Sequence, residues 1–318
     1  MHRPDVFFDS IHPTMNNRRQ FIAQTALGAL GITCAPAIEP IQRAGTSRMQ
    51  LGLAAYSFRK YFRWMKDKEQ KVEGREPWSI NDFVDWCAGH NVPGAELTSY
   101  FFPPDVDEAF CLELRRQAYL RGVQICGTAV GNTFTDPEGE ARDEQIAYVK
   151  KWTDFAAAMT APHIRVFAGK QPKDISPEEA IQNCKAGYQE CLDYAATKGV
   201  FLGLENHGGI VEKPEALLDI VRSAQSPWAG INFDSGNFRT EDPYADLEKI
   251  APYAINVQLK MEMKPPGRDP EPADIERILG ILRKANYQGW FVLEYEMEED
   301  PFVAVPRVLE QLRPMLEV

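Results

Sequence analysis

The sequence predicts a single-domain α/β fold, a (β/α)8 barrel, and three observations carry that prediction. From about residue 49 onward, eight short apolar runs alternate with helix-like stretches. The runs are apolar throughout rather than alternating with polar residues, as expected of parallel strands buried on both faces. The last four runs also carry oxygen-bearing side chains at or near their C-terminal ends. Glu205 closes VFLGLE, Asp234 closes AGINFD, Gln258 lies in YAINVQLK and Glu294 closes WFVLE. Their spacings of 29, 24 and 36 residues are about one strand–helix unit each. A barrel gathers the C-terminal ends of its strands at one mouth.

Taken in order, strands are predicted near Gln50–Tyr56, Gly94–Leu97, Val123–Ala129, His163–Phe167, Val200–Glu205, Gly230–Asp234, Ile255–Lys260 and Trp290–Tyr295. Helices fill the intervals. Ser79 is the expected N-cap of the first, because its hydroxyl can accept from the exposed amides of the opening turn. Asp105-Val-Asp-Glu opens the next, which stops at Arg121-Gly122. Ser176-Pro177 pairs a cap with a proline that needs no amide partner, and that helix ends at Lys198-Gly199. Two connections are long. Phe58–Trp78 follows the first strand and stands where it can cap the mouth, and Met261–Pro272 follows the seventh and is expected to be rigid and irregular.

Ahead of the barrel, residues 1–37 read as an export leader and 38–48 as a linker, leaving 49–318 for the barrel. Arg18-Arg19 precedes Phe21-Ile22 and a mildly apolar, glycine-containing stretch that ends at Ala35-Pro36-Ala37. That order matches a twin-arginine signal and a periplasmic destination, with no stable membrane span after cleavage. The chain has 318 residues and a net charge of −11, which disfavours a nucleic-acid partner. Beyond the leader, Cys87, Cys111, Cys126, Cys184 and Cys191 are odd in number and unpatterned, so they read as small buried apolar residues.

The chemistry concentrates at the mouth. Three carboxylates brought together in a low-dielectric site repel one another until a cation or raised pKa values relieve them. Glu205, Asp234, Glu294 and the Gln258 carbonyl form an all-oxygen donor set, which suits one hard divalent cation. Lys260, two residues after Gln258, shares its strand face and can neutralise a developing oxyanion or pair with Glu262 or Glu296. His207 is placed to bond a substrate hydroxyl or shuttle a proton. Glu96 and Arg165, at other strand ends, can hold sugar hydroxyls or pair with each other. Gly208-Gly209 belongs to no phosphate-binding motif.

Four segments then carry a resemblance as a set: Leu204-Glu205-Asn206-His207, Asn232-Phe233-Asp234-Ser235-Gly236-Asn237, Val257-Gln258-Leu259-Lys260 and Leu293-Glu294-Tyr295-Glu296. Together they resemble the xylose isomerase-like barrel superfamily, which includes sugar isomerases and epimerases, inosose dehydratases and enzymes of the endonuclease IV type. The resemblance implies that Glu205, Asp234 and Glu294 are metal ligands and that Glu205 and Glu294 also move protons. Gln258 stands where the epimerases usually have histidine, and Asn237 where ketose epimerases often have one. A carboxamide oxygen serves Mn²⁺ or Mg²⁺ better than zinc. The expected activity is a metal-dependent isomerisation or epimerisation of a free or oxidised sugar through an enediolate. A lyase or hydratase acting by β-elimination, and a barrel that binds sugar without turnover, are the alternatives. The family's frequent dimers and tetramers add homo-oligomerisation to the expectations. A DNA-repair endonuclease is disfavoured, because only His163 and His207 lie outside the leader and the helices.

Overall fold

Eight parallel strands close into a barrel in the computed structural model, which describes residues 38–316. They are β1 (Arg48–Ala54), β2 (Gly94–Thr98), β3 (Gln124–Ala129), β4 (His163–Val166), β5 (Phe201–Glu205), β6 (Ala229–Asp234), β7 (Ala254–Leu259) and β8 (Gln288–Leu293). Each pairs with its sequence neighbours, and β1 joins both β2 and β8 to complete the ring. The predicted strands all appear, with ends shifted by one or two residues. The leader expected over 1–37 lies outside the described residues.

Among the described residues eight helices form the outer layer: α1 (Ile80–Gly89), α2 (Glu108–Leu120), α3 (Glu140–Met159), α4 (Pro177–Lys198), α5 (Pro214–Ser223), α6 (Pro243–Ile250), α7 (Ile275–Lys284) and α8 (Pro301–Leu316). Their ends follow local chemistry. The Ser79 hydroxyl accepts from the Asp82 amide while the Asp82 carboxylate accepts from the Ser79 amide, a reciprocal capping box. Asp107, within the predicted opening segment, caps α2 through the Phe110 amide. Ser176 caps α4, and Gly199 ends it at φ 69°, a left-handed conformation that glycine adopts without a Cβ clash. None of these helices is long and apolar enough to cross a membrane.

The main core lies between helices and strands, where the outward strand residues Leu53, Leu97, Ile164, Leu204, Phe233 and Leu293 are buried. Inside the ring, Ala54, Cys126 and Val292 form a separate small apolar cluster, with Tyr56 and Trp290 packed on it. All five cysteines of the barrel are free and buried, as expected. Interior space is tight: a Cβ on Gly127 would stand 2.2 Å from the His163 ring, and one on Gly94 would stand 2.5 Å from Trp290.

Three connecting segments differ from expectation. The Phe58–Trp78 connection folds a hairpin, Trp64–Met65 against Lys68–Glu69, turning on Lys66 and Asp67 at φ 52° and 62°. Phe62 stacks on Phe101 at 4.2 Å, and Trp78 packs edge-on against Phe302 at 4.8 Å, which ties the segment to the barrel. The Met261–Pro272 connection pairs Glu262–Met263 with Glu271–Pro272. The expected linker is also held, with the Ile38 amide donating to Arg222 O at 2.9 Å and the Ile41 amide to Pro252 O at 3.0 Å.

Candidate active site

Strand register sets the level of the site. Glu205 on β5 lies beside Asn232 on β6, and Asp234 lies beside Gln258 on β7. Glu294 follows the last residue of β8, and its amide donates to Leu259 O at 2.9 Å. Side chains two apart on a strand share a face, so Asn232 and Asn256 point inward below Asp234 and Gln258. All of these side chains are buried.

Glu205, Asn232, Asn256 and Gln258 form one hydrogen-bonded network with Glu96. Gln258 Nε2 donates to Glu96 Oε1 at 2.6 Å, and Asn256 Nδ2 donates to Glu96 Oε2 at 2.9 Å and to Asn232 Oδ1 at 2.8 Å. Asn232 Nδ2 donates to Gln258 Oε1 at 2.7 Å and lies 3.4 Å from Glu205 Oε2. Gln258 Oε1 and Glu205 Oε2 therefore converge on one amide. A carboxamide oxygen has two acceptor sites, so Gln258 keeps one after Asn232 is served.

Two expectations are corrected here. Glu96 is fully buried beneath the site and orients Gln258 and Asn256 instead of contacting a sugar. Arg165 pairs with Glu205, at 3.0 Å, instead of with Glu96. Asn237 Nδ2 holds the other Glu205 oxygen at 2.8 Å, so the residue standing in the usual histidine position grips the carboxylate. Lys260 pairs with Glu294 at 2.5 Å and with Glu296, whereas Glu262 is 3.7 Å from Lys264. The Lys260 ammonium also approaches Asp234 Oδ2 to 3.6 Å.

These side chains open on a cavity of about 400 Å³ lined by Tyr56, Met65, Lys66, Tyr100, Arg165, Phe167, Glu205, His207, Asn237, Lys260, Glu294 and Glu296. The hairpin supplies Met65 and Lys66, so the Phe58–Trp78 connection does cap the mouth. Lys66 is pinned there: its amide donates to Tyr100 O at 2.9 Å and its ammonium lies 4.6 Å from the Tyr100 ring centre. A larger depression of about 860 Å³, around Gln50, Gln124 and Trp290, lies at the opposite end of the barrel, where no carboxylate lines it. The chemistry belongs to the smaller cavity, at the C-terminal strand ends.

Electrostatics marks the same place. Burial raises the pKa of Glu205, and Asp234 and Glu294 raise it further against the pull of Arg165. Asp234 is pushed up by burial, with Lys260 opposing and Glu294 adding to the shift. Burial raises Glu294 as well, partly offset by Lys260. His207 packs against Phe167 with the rings tilted by 38° and their centres 4.2 Å apart, and desolvation followed by the charges of Arg165 and Lys260 lowers its pKa to about 4. Its ring is therefore neutral at physiological pH.

The donor set suits a further cation. Among the described residues, four of the five carboxylates gathered here, Glu205, Asp234, Glu294 and Glu296, lie within 4 Å of Arg165 or Lys260, while Glu96 lies 3.7 Å from the His163 ring and the charges of Arg59 and Lys264 also reach Glu296. Buried Asp234 Oδ2 has no hydrogen-bond partner. Glu205, Asp234, Glu294 and Gln258 Oε1 offer the oxygen chemistry of a hard divalent ion. Among the described residues, no three Asp, Glu, His or Cys side chains yet stand in a metal-holding cluster. The Lys260 ammonium occupies the approach to Asp234 and Glu294.

A family model described as "Xylose isomerase-like TIM barrel" matches residues 84–315. The chain belongs to that family. Among curated proteins it is 28% identical to an inosose dehydratase of Histophilus somni (strain 129Pt), across 76% of this chain and 90% of that protein. Among solved structures it resembles the 3-keto-D-glucoside 4-epimerase of E. coli, with TM-score 0.63 and 16% identity over 84% of this chain and 100% of that one. It also resembles the IOLI protein, solved with a bound zinc atom, with TM-score 0.64 and 15% identity over 84% and 96% of the two chains. Both structures confirm the barrel.

Asn206 and Asn232 stand in the segments that carry the resemblance but were given no role, and Asn256 was not singled out. Asn206 accepts from the Asp234 amide and donates to Asp234 O, both at 2.9 Å, fixing the end of β6. For Asn232 and Asn256 a signal existed: each stands two residues before a singled-out side chain in an otherwise apolar run.

Proposed function

We propose that this chain is a divalent-cation-assisted enzyme that removes the proton next to a carbonyl of a small sugar or cyclic keto-polyol, after which a β-hydroxyl leaves as water. The observation that carries this reading is the pair of buried carboxylates, Glu205 and Glu294, with raised pKa values facing one cavity. Acids and bases work best when their pKa lies near the operating pH.

Glu205, Asp234, Gln258 and Glu294 would hold the cation, with Mn²⁺ or Mg²⁺ favoured by the all-oxygen set. When bound, it supplies electrophilic polarisation of the substrate oxygens. The chain's own residues do the rest. Asn237 and Arg165 hold Glu205 by its two oxygens, aiming it as a proton acceptor. Glu294 delivers a proton to the departing hydroxyl, so that the C–H and C–O bonds break and water forms. Lys260 offsets negative charge developing on the carbonyl oxygen. Neutral His207 accepts or donates a hydrogen bond at the rim, and the hairpin with Met65 and Lys66 excludes water. The dehydratase name of the curated relative supports the elimination step.

One observation favours a second reading. Glu205 and Glu294 come from β5 and β8, different sectors of the ring, so one can take a proton and the other return it to the opposite face. That would be epimerisation or isomerisation. The Arg18-Arg19 leader supports an exported enzyme, which would meet free or oxidised sugars rather than phosphorylated ones.

The test is a panel of 3-keto sugars and cyclic keto-polyols incubated with the Mn²⁺-loaded protein and followed by proton NMR. Loss of water with a new unsaturated product supports elimination. A stereoisomer of unchanged mass supports epimerisation. No product from any member, with sugar binding unchanged by chelator, supports a non-catalytic barrel and overturns the proposal.

A further inference from the structure

Lys260 is anchored at its base and shared at its tip. Its amide donates to Ser235 Oγ at 2.8 Å, and its stem passes Gly236 so closely that a Cβ there would stand 2.7 Å from Lys260 Cβ. The ammonium has two berths. One is inner, at Glu294 Oε2 (2.5 Å) and Asp234 Oδ2 (3.6 Å); the other is outer, at Glu296. The inner berth is incompletely served, because 3.6 Å exceeds hydrogen-bond distance and Asp234 Oδ2 has no other partner. The outer berth lies at the rim, with the Glu296 side chain 34% exposed against 12% for Lys260.

We propose that Lys260 is a tethered occupant of the cation site: its ammonium, now shared between Glu294 and Glu296, competes with a divalent cation for Asp234 and Glu294, and binding of the cation leaves the ammonium to Glu296 and the cavity. The proposal rests on the metal reading above and deepens it. A buried carboxylate pair left without a cation is strongly unfavourable, so a residue that serves it in the metal-free protein protects the fold. The same residue then weakens metal binding by the free energy of the contacts it gives up. Once displaced, the ammonium is held at the mouth, where substrate negative charge develops. Glu296 is a positioning residue in this scheme, acting on the cation only through Lys260.

The test is calorimetric titration of the metal-free protein with Mn²⁺, using wild type, Lys260→Met, Glu296→Gln and the double variant, with circular dichroism confirming each fold. Lys260→Gln is the second variant should Lys260→Met fail to fold. Lys260→Met should bind Mn²⁺ about tenfold or more tightly than wild type, and Glu296→Gln should bind it more weakly. The discriminating result is the double variant: with Lys260 gone, Glu296→Gln should change affinity little, a coupling that independent charges would not give. If Lys260→Met binds no tighter than wild type, the competition is overturned while the metal site stands. If Glu296→Gln weakens binding equally in both backgrounds, Glu296 acts directly on the cation and the two-berth scheme is overturned. If wild type and all variants ignore Mn²⁺, the metal reading fails and this inference falls with it.

Discussion

Glu205→Gln and Glu294→Gln should each lower kcat by about 10²–10⁴-fold, the usual contribution of a positioned acid or base. Circular dichroism should show the fold intact, because glutamine keeps the shape of the buried side chain. His207 gives a second residue-scale expectation. Its folded pKa of about 4 lies below the ordinary 6.5, so the unfolded chain takes up the proton first as pH falls. The stability this confers is complete above 6.5 and is lost between 6.5 and 4. Histidine ring NMR should give a midpoint near 4 for His207. A midpoint at the ordinary value would place the ring in open water, away from Arg165 and Lys260. At this scale the sequence was most legible where a residue ended a strand. Glu205, Asp234 and Glu294 were identifiable because strand ends in a barrel share one mouth. The partner of Arg165 was not, because the choice of Glu205 over Glu96 depends on the tilt and stagger of β2, β4 and β5. Gln258 was recognised as an oxygen donor, but its grip on Glu96 spans 162 positions and left no local trace.

The elements are set by capping and by interior volume. Gly127 on β3 faces the His163 ring so closely that Gly127→Ala should destabilise by about 1–3 kcal/mol, the range for overpacking a core. Chemical denaturation would measure it; an unchanged midpoint would mean that the ring can move aside. The mouth hairpin carries a separate expectation. Lys66 and Asp67 adopt positive φ without the glycine or asparagine that normally signals a tight hairpin turn, which is why the connection read as a loop. Replacing 64–69 with a Gly/Ser segment should raise KM and leave Mn²⁺ affinity near the wild-type value, because no proposed ligand lies on it. A loss of Mn²⁺ binding in that variant would show that the hairpin shapes the donor set as well as the cavity. The helix caps were the most local signals, and Ser79 and Ser176 both behave as expected because an N-cap needs only residues three positions away.

At the scale of the whole molecule, the barrel confines repulsive carboxylates and offsets them directly through Arg165 and Lys260. Eight apolar strands supply the core, and the polar network inside the ring is tolerated because asparagine and glutamine amides bridge its carboxylates. The class of fold was legible from strand–helix alternation, whereas the balance between Lys260 and a metal was not, because it depends on distances among four strands. The most direct test is thermal unfolding of residues 38–318 after chelation, with and without Mn²⁺ or Mg²⁺, beside Glu205→Gln, Asp234→Asn and Glu294→Gln. Cation at about 100 times its Kd should stabilise wild type by about 2.7 kcal/mol, a rise of several degrees in Tm, with about one ion per chain. The variants should lose most of that gain. A wild type that no divalent cation stabilises, or variants that respond as wild type does, would contradict the assignment of these oxygens as a cation site.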